Sequence, residues 1–204
     1  MDSKAHWEGI YQRTPPMASS WYQPEPSRSL ELLTSLRVGP TSSIIDVGGG
    51  DSTFVDAVVA RRLGHVTVLD LSRTALQRVR TRLGAHAAEV TWVEGDVLQA
   101  DLPLHLYDVW HDRAVFHFLT DRDDRLRYVA AATSSLKPGG AVIISTFALA
   151  GPERCSGLQV ARYDSDLLAR EFGDAFALVS AVHDVHRTPS GAEQHFTYAV
   201  LRLQ

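Results

Sequence analysis

The sequence lacks cysteine pairs, long apolar runs and an excess of positive charge. Its 204 residues hold one cysteine, Cys155, which excludes an internal disulfide and a cysteine-based zinc site. No run of about 18 apolar residues occurs, so we expect no transmembrane helix and no membrane partner. The 20 Lys and Arg against 24 Asp and Glu give a net charge of −4, which argues against nucleic-acid binding. Residues 1–13 lack an apolar leader, so a cytoplasmic location is expected.

The length and composition are those of an ordinary globular domain. Domains commonly run to about 100–200 residues, and 45% hydrophobic with 22% charged residues excludes a disordered chain. We therefore expect a single domain over residues 1–204, with an N-terminal segment at 1–28 and a core at 29–204. The sequence leaves the choice between a monomer and a weak homodimer open.

The N-terminal segment is unusual because it concentrates prolines and large aromatic residues. The prolines argue against a long regular element between residues 7 and 26. The aromatic residues need something to pack on, either as a structural strap over the core or as a lid over a ligand, and the sequence does not decide between these. The residues concerned are Trp7, Tyr11, Trp21 and Tyr22 with Pro15, Pro16, Pro24 and Pro26.

From residue 28 onwards, helical and strand patterns alternate. Apolar residues recur at helical spacing at Leu76, Val79 and Leu83, and a later helix is expected to stop at the Lys-Pro-Gly-Gly of residues 137–140. The strand at 141–147 is apolar throughout, which is typical of a parallel sheet covered by helices on both faces. Strands are predicted at residues 43–47, 66–70, 90–94, 107–110 and 141–147.

The last 40 residues follow a different pattern. A short helix near 165–172 precedes two strands, 176–186 and 194–203, which a turn at 188–192 joins as a hairpin. At least one of these strands must therefore run antiparallel to its neighbour. The predicted fold is α/β, a Rossmann-like, doubly wound, mostly parallel sheet with an antiparallel C-terminal edge strand.

A glycine-rich turn separates the first strand from the next helix. Gly48, Gly49 and Gly50 allow a ligand to approach the backbone closely, and ligands of open α/β sheets bind at this turn. No Gly-Lys-Ser/Thr follows, which excludes a nucleoside-triphosphate P-loop. The third glycine of the dinucleotide fingerprint is absent, and Asp51 would repel a pyrophosphate at the helix start. These features disfavour a nicotinamide cofactor.

Acidic residues follow three consecutive strands. Asp70 ends the second strand, 24 residues after Asp46, and its carboxylate can accept hydrogen bonds from both hydroxyls of a ribose. Asp96 follows the third strand and could accept from an adenine amino group. Together with the glycine turn, these acids indicate a nucleoside site without a phosphate clamp.

In this arrangement the sequence resembles the class I S-adenosylmethionine-dependent methyltransferase family. The resemblance covers roughly residues 40–147, and the tail hairpin is also similar; Asp51 departs from the family pattern, which usually has a glycine there. The resemblance implies a seven-stranded fold, S-adenosyl-L-methionine as cofactor and S-adenosyl-L-homocysteine as product. The matching motifs, in the family's order, are Ile44-Ile45-Asp46-Val47-Gly48-Gly49-Gly50, Val68-Leu69-Asp70-Leu71-Ser72, Glu94-Gly95-Asp96-Val97, Tyr107-Asp108-Val109-Trp110 and Leu136-Lys137-Pro138-Gly139-Gly140.

The resemblance also implies roles for individual residues. The methionine part of the cofactor would be held at the glycine turn, the ribose at the second strand and the adenine after the third. The end of the fourth strand would lie beside the sulfonium. In that order the cofactor-binding residues are Asp46, Gly48 and Gly50, then Asp70 and Leu71, then Asp96 and Val97, and finally Trp110. His111 follows Trp110 and would also lie beside the sulfonium.

The acceptor is less determined than the cofactor. Residues 107–119, YDVWHDRAVFHFL, resemble the same segment of thiopurine-type and other thiol methyltransferases, and are also similar to a branch that methylates protein lysines. The N-terminal segment resembles the cover of the small-molecule branch. We therefore expect a small acceptor, with a thiol placed ahead of hydroxyl and amine. A protein-lysine methyltransferase and a non-catalytic cofactor-binding partner protein are the alternatives.

The remaining candidate residues concern proton transfer and acceptor binding. A hydroxyl or amine acceptor would need a base, and His111, Asp112 and His117 are the candidates, whereas a thiol would need none. Arg113, Phe147 and Cys155 are expected near the acceptor. The five histidines at 111, 117, 183, 186 and 195 match no metal-ligand spacing, so no metal is expected.

Overall fold

A computed structural model describes residues 2–204 and contains one large sheet of seven strands. The strand order is β3-β2-β1-β4-β5-β9-β8, with β1 to β5 parallel to one another. A separate two-stranded hairpin, β6 with β7, follows β5. The strands are β1 Ser43–Val47, β2 His65–Asp70, β3 Thr91–Glu94, β4 Tyr107–Arg113, β5 Leu136–Phe147, β6 Arg154–Cys155, β7 Leu158–Gln159, β8 Phe176–Arg187 and β9 Glu193–Leu203.

The predicted α/β fold with its antiparallel C-terminal hairpin is confirmed. Strand β9 is antiparallel to both of its neighbours, β5 and β8. It therefore lies one position inside the sheet, and β8 is the outermost strand of that edge. This placement lets both long strands of the hairpin extend the sheet beyond β5.

Residues 2–204 contain six α-helices, of which the first two precede β1 and the other four lie between strands. Short polar side chains begin several of them. Ser72, Asp121 and Asp164 each accept a hydrogen bond from a backbone N–H in the first turn of the following helix. The helices are α1 Ser3–Arg13, α2 Ser27–Ser35, α3 Phe54–Ala60, α4 Arg73–Leu83, α5 Arg122–Ser135 and α6 Ser165–Phe172.

The core consists of two apolar layers, one on each face of the sheet. Trp110 of β4 faces the layer that contains Tyr128 of α5 and Phe172 of α6, whereas its neighbour Val109 faces the layer with Phe54 of α3. This alternation explains why the strands are apolar at successive positions. Both layers leave the carboxyl ends of the parallel strands free for a site.

Two local predictions were wrong. The prolines do not prevent a regular element near the N-terminus, because all of them lie at or beyond Pro15 and α1 ends at Arg13. The helix α5 ends at Ser135, just before Lys-Pro-Gly-Gly as predicted, but the fifth strand begins at Leu136 rather than at residue 141. Within residues 2–204, no helix has the length and apolar character that a membrane span requires.

Candidate functional site

A cavity of about 370 Å³ lies at the carboxyl ends of β1, β2 and β4, under α1 and the segment that follows it. Its lining includes thirteen of the eighteen residues predicted for the site. They are Asp46, Gly48, Asp70, Leu71, Asp96, Val97 and His111 on the cofactor side, with Trp7, Tyr11, Trp21, Tyr22, Arg113 and Cys155 around the remainder.

The glycine turn forms the floor of this cavity. The backbone N–H groups of Gly48 and Gly49 donate to the carbonyl oxygen of Leu69, at 2.7 and 3.3 Å, which ties the turn to β2. Gly48 has a φ of +63°, and a Cβ there would run into the side chain of Val115. A side chain is therefore excluded at this position, and the backbone itself faces the cavity.

The carboxylates of Asp46 and Asp70 both line the cavity but differ in their hydrogen bonds. The Oδ2 atom of Asp46 is buried and has no hydrogen-bond partner among residues 2–204. Asp70 accepts a hydrogen bond from the backbone N–H of Ser72 at 2.7 Å. Burial raises the pKa of Asp70 to about 7, although hydrogen bonds from Ser72 and Gly50 oppose the rise. Both carboxylates can accept further hydrogen bonds from a ligand in the cavity.

Asp51, the departure from the family pattern, has a partner of its own. Its Oδ2 lies 3.3 Å from Nη1 of Arg78, which balances the negative charge beside the glycine turn. The same guanidinium donates to the carbonyl oxygens of Tyr11 and Thr14, at the end of α1. Asp51 is thus part of the attachment of α1 to α4.

A second attachment of α1 starts at Glu8. Its carboxylate accepts hydrogen bonds from the Ser72 hydroxyl at 2.6 Å and from both the hydroxyl and the backbone N–H of Thr74. Burial alone would raise the pKa of Glu8, but these hydrogen bonds outweigh it and lower the pKa to about 2. The carboxylate therefore adds a cap to the start of α4, and Lys4 extends the contact through Glu94 at 2.6 Å.

Aromatic side chains enclose the other end of the cavity. The ring of Trp7 lies 5.0 Å from that of Phe118 and 6.0 Å from that of Trp21, measured between centroids. Arg113 lies 5.0 Å above the ring of Phe196 and donates to the Tyr198 hydroxyl and to the carbonyl oxygen of Trp21. Its Nη2 is buried and has no partner within residues 2–204.

Five predicted site residues do not line the cavity. Trp110 is fully buried in the core, where its Nε1 donates to the Tyr128 hydroxyl at 2.8 Å, because strand alternation turns it to the face opposite His111. Gly50 supports the site indirectly, since a Cβ there would collide with the Tyr11 hydroxyl. Phe147 packs against Phe196 in the core, at 4.9 Å between ring centroids.

The other two are the candidate bases Asp112 and His117, and both are fully buried. Nδ1 of His117 accepts from the backbone N–H of Phe147 at 3.3 Å, whereas its Nε2 has no partner within residues 2–204. Asp112 accepts from the Tyr128 hydroxyl at 2.5 Å and from the backbone N–H groups of Val115 and Phe116 at 2.8 and 3.0 Å. Burial raises the pKa of Asp112 to about 6 and lowers that of His117 to about 3, aided at His117 by the charge of Arg113. The geometry gives neither residue access to an acceptor.

His111 does line the cavity, but both of its ring nitrogens have partners. Nδ1 lies 2.7 Å from Oδ1 of Asp46, and Nε2 lies 2.9 Å from the Ser29 hydroxyl. Sequence reasoning missed Ser29, Glu8 and Arg78, because each acts through a contact between elements distant in the chain. The hydroxyl residues at the start of α4 were the one sequence feature that could have indicated a polar contact there.

A family model described as a methyltransferase domain matches residues 44–140. These residues contain the glycine turn, Asp70 and Asp96. This chain carries a methyltransferase domain. The methyltransferase domain predicted from the sequence is confirmed over residues 44–140, and the branch stays a prediction.

Curated relatives of this methyltransferase domain include an uncharacterised methyltransferase of Mycobacterium bovis and EEF1A lysine methyltransferase 2 of Danio rerio. The first is 31% identical over 107 residues, which are 52% of this chain and 51% of that protein. The second is 21% identical over 160 residues, covering 72% and 69% of the two chains. The chain thus spans about half the length of the Mycobacterium relative.

Several solved structures share the fold. One, from work on the conversion of a disulfide bond into a thioacetal group during echinomycin biosynthesis, has a TM-score of 0.78 and 17% identity, covering 98% of this chain and 93% of that one. The 1,6-didemethyltoxoflavin-N1-methyltransferase of Burkholderia thailandensis, with bound substrate and S-adenosylhomocysteine, has a TM-score of 0.73 and 19% identity, covering 98% and 87%.

The residues present suit S-adenosylmethionine. The unpartnered Oδ2 of Asp46 needs a hydrogen-bond donor, and the ammonium of the methionine part is one. Asp70 offers a carboxylate of the kind that binds ribose hydroxyls. When bound, the cofactor supplies an electrophilic methyl group on its sulfonium.

Proposed function

We propose that this chain is an enzyme that transfers a methyl group from S-adenosylmethionine to a small acceptor, with a thiol placed first, by direct in-line displacement. The observation that carries the proposal is the enclosed, aromatic end of the cavity next to the cofactor side. Cavities of about 300–1,000 Å³ lined by apolar residues suit small ligands, and this one measures about 370 Å³. The cofactor site and the acceptor site would share this one space.

Arg113 limits the chemical classes of acceptor that would fit the cavity. A buried guanidinium nitrogen without a partner is costly, so a ligand atom that accepts a hydrogen bond is expected beside it. A thiolate or a carbonyl or carboxylate oxygen fits this requirement. A cationic ammonium does not, because the two like charges would repel each other.

The placement of the candidate bases favours a thiol over a hydroxyl or amine. Both ring nitrogens of His111 have protein partners, and neither Asp112 nor His117 lines the cavity, so none of the three is placed to remove a proton from the acceptor. A thiol beside a positive charge ionises near neutral pH without a base. The echinomycin-related structure, described in connection with a disulfide and a thioacetal, also involves sulfur.

The contribution of the chain to the rate would be positioning and exclusion of water. Holding two reactants in line contributes up to roughly 7–11 kcal/mol in favourable cases. Trp7 and Trp21 would close the cavity over the acceptor, and a desolvated thiolate is a stronger nucleophile. Residues 1–28 would thus serve as the cover and residues 29–204 as the core of one domain.

The test is turnover on a panel of small thiols, phenols and amines, followed by the release of S-adenosylhomocysteine. We expect activity on thiols, and a lower kcat/KM for Arg113→Gln, because the bound thiol loses the positive charge that favours its ionised form. Asp70→Ala, which should lose cofactor binding, serves as the control. Activity confined to amines, or none on any small acceptor, would contradict the proposal.

Protein-lysine methylation is the second candidate function. The similarity to EEF1A lysine methyltransferase 2 favours it, and the uncompensated charge of Arg113 disfavours it. Labelled methyl groups transferred to a cell lysate and sorted by molecular size separate the two. Label found only in protein would support the lysine function.

A further inference from the structure

Three buried polar side chains form a continuous chain of hydrogen bonds beside the cavity. Asp46 of β1 and His111 of β4 are register partners on adjacent parallel strands, and Ser29 lies on α2. Their exposed fractions are 2%, 2% and 0%. The distances are 2.7 Å from Asp46 to His111 and 2.9 Å from His111 to Ser29.

The chemistry of the groups fixes the direction of the first bond. An ionised carboxylate only accepts hydrogen bonds, so Nδ1 of His111 must carry the hydrogen that it shares with Asp46. Nε2 is engaged by the Ser29 hydroxyl, which can donate or accept. The ring also lies flat on Phe54, 3.9 Å between centroids and 15° between planes. His111 is therefore held on three sides.

This order of groups also occurs in serine hydrolases, but Ser29 cannot act as their nucleophile does. It is fully buried and does not line the cavity, so no substrate reaches its oxygen. Asp46, at the other end of this series of hydrogen bonds, does line the cavity. Its Oδ1 is taken by His111, and its Oδ2 is the atom without a partner in residues 2–204.

We propose that His111 is a positioning residue for the cofactor rather than a base. It holds the carboxylate of Asp46 so that Oδ2 is presented to the α-ammonium of S-adenosylmethionine, and Ser29 fixes the imidazole in turn. This proposal rests on the proposed function, because it assumes cofactor binding in this cavity. It makes the first turn of α2, directly after the cover, part of cofactor recognition.

The test compares two ligands that differ only at the amino-acid end. S-adenosylhomocysteine carries the ammonium, and 5′-methylthioadenosine lacks the whole amino-acid part. His111→Phe keeps the stacking on Phe54 but cannot donate to Asp46. Because hydrogen bonds to charged groups are strong, we expect it to weaken S-adenosylhomocysteine binding about tenfold or more and to change methylthioadenosine binding less than about threefold.

Two further variants separate positioning from general damage. His111→Asn places an amide N–H where Nδ1 was and should restore S-adenosylhomocysteine affinity to within about threefold of the original, whereas His111→Gln reaches only toward Ser29 and should behave like the Phe variant. If the Phe variant does not fold, the Asn and Gln pair decides. Calorimetry and ligand-dependent thermal shift measure the affinities without requiring turnover.

The outcomes distinguish this proposal from the function itself. Failure of the unaltered protein to bind either nucleoside would overturn the proposed function. Normal binding by the unaltered protein, with equal losses for both ligands in the His111 variants, would overturn the positioning role alone. So would unchanged affinity in the Gln variant, or the absence of any difference between Asn and Gln.

Discussion

Removal of the Glu8 carboxylate should loosen α1 without unfolding the core. In Glu8→Ala the start of α4 loses three hydrogen bonds from Ser72 and Thr74 to a charged group. Such bonds contribute about 1.5–3 kcal/mol when buried and exposed ion pairs about 0.2–1 kcal/mol, so a half-buried carboxylate should contribute about 1–2 kcal/mol in total. This corresponds to a roughly 5- to 30-fold increase in the population of the open form.

Hydrogen exchange is the appropriate assay, because the exchange of helix amides reports the local opening equilibrium. The amides of Ser3–Arg13 should exchange about 5 to 30 times faster in Glu8→Ala, while those of β1 and β4 should not change. Glu31→Ala, whose ion pair with Arg28 lies on the exposed side of α2, is the matched control. Unchanged exchange in α1 would refute the assignment of Glu8 as an attachment point.

The same attachment should depend on pH in one direction. The pKa of Glu8 falls from 4.5 to about 2 on folding, so its contribution is complete above about pH 4.5 and is lost as the pH falls toward 2. The original chain and Glu8→Ala should therefore converge in stability over this range. Parallel curves down to pH 2 would contradict the argument.

Three further outcomes follow from the site. S-adenosylhomocysteine should bind more weakly as the pH falls below about 7, by up to about tenfold per pH unit. The reason is that burial raises the pKa of Asp70 to about 7 and that ribose hydroxyls donate to the ionised form. Calorimetry should find that the affinity of Asp70→Asn does not change with pH over this range. Tyr128→Phe should lower the free energy of unfolding in urea by about 2–4 kcal/mol, because buried Asp112 loses a donor and the Trp110 N–H loses its acceptor; a change below about 0.5 kcal/mol would contradict this. Gly50→Ala should cost about 1–2 kcal/mol from its φ of +51° alone and should also speed exchange in α1, since a Cβ there meets the Tyr11 hydroxyl.

The order of the strands and the floor of the site could be predicted because both depend on local patterns. Apolar runs gave the positions of β1 to β5, and acids at strand ends gave Asp46 and Asp70. The face of the sheet to which Trp110 points could not be predicted. A strand that is buried on both faces is apolar at successive positions, so its pattern does not show which face each residue takes. The sequence does not predict α1, because the prolines from Pro15 onwards indicate where a helix must end but not that residues 3–13 form one.

The acceptor end was less predictable for a different reason. Arg113, Trp7 and Trp21 are separated by up to 106 positions in the chain, and only their assembly shows that one guanidinium nitrogen has no partner. The same holds for Ser29, whose hydroxyl has no sequence signal apart from its place in α2. Contacts of this kind depend on how the elements pack, not on their own composition.

The position of β9 imposes an order on folding. It pairs with β5 on one side and β8 on the other, so β8 cannot join the sheet until the strand that follows it in the chain has docked. The edge of β5 stays open during this interval, and its exposed backbone could accept a strand from another molecule. Concentrated refolding should therefore favour exchange of the β8–β9 hairpin between chains, whereas dilution should favour the monomeric product.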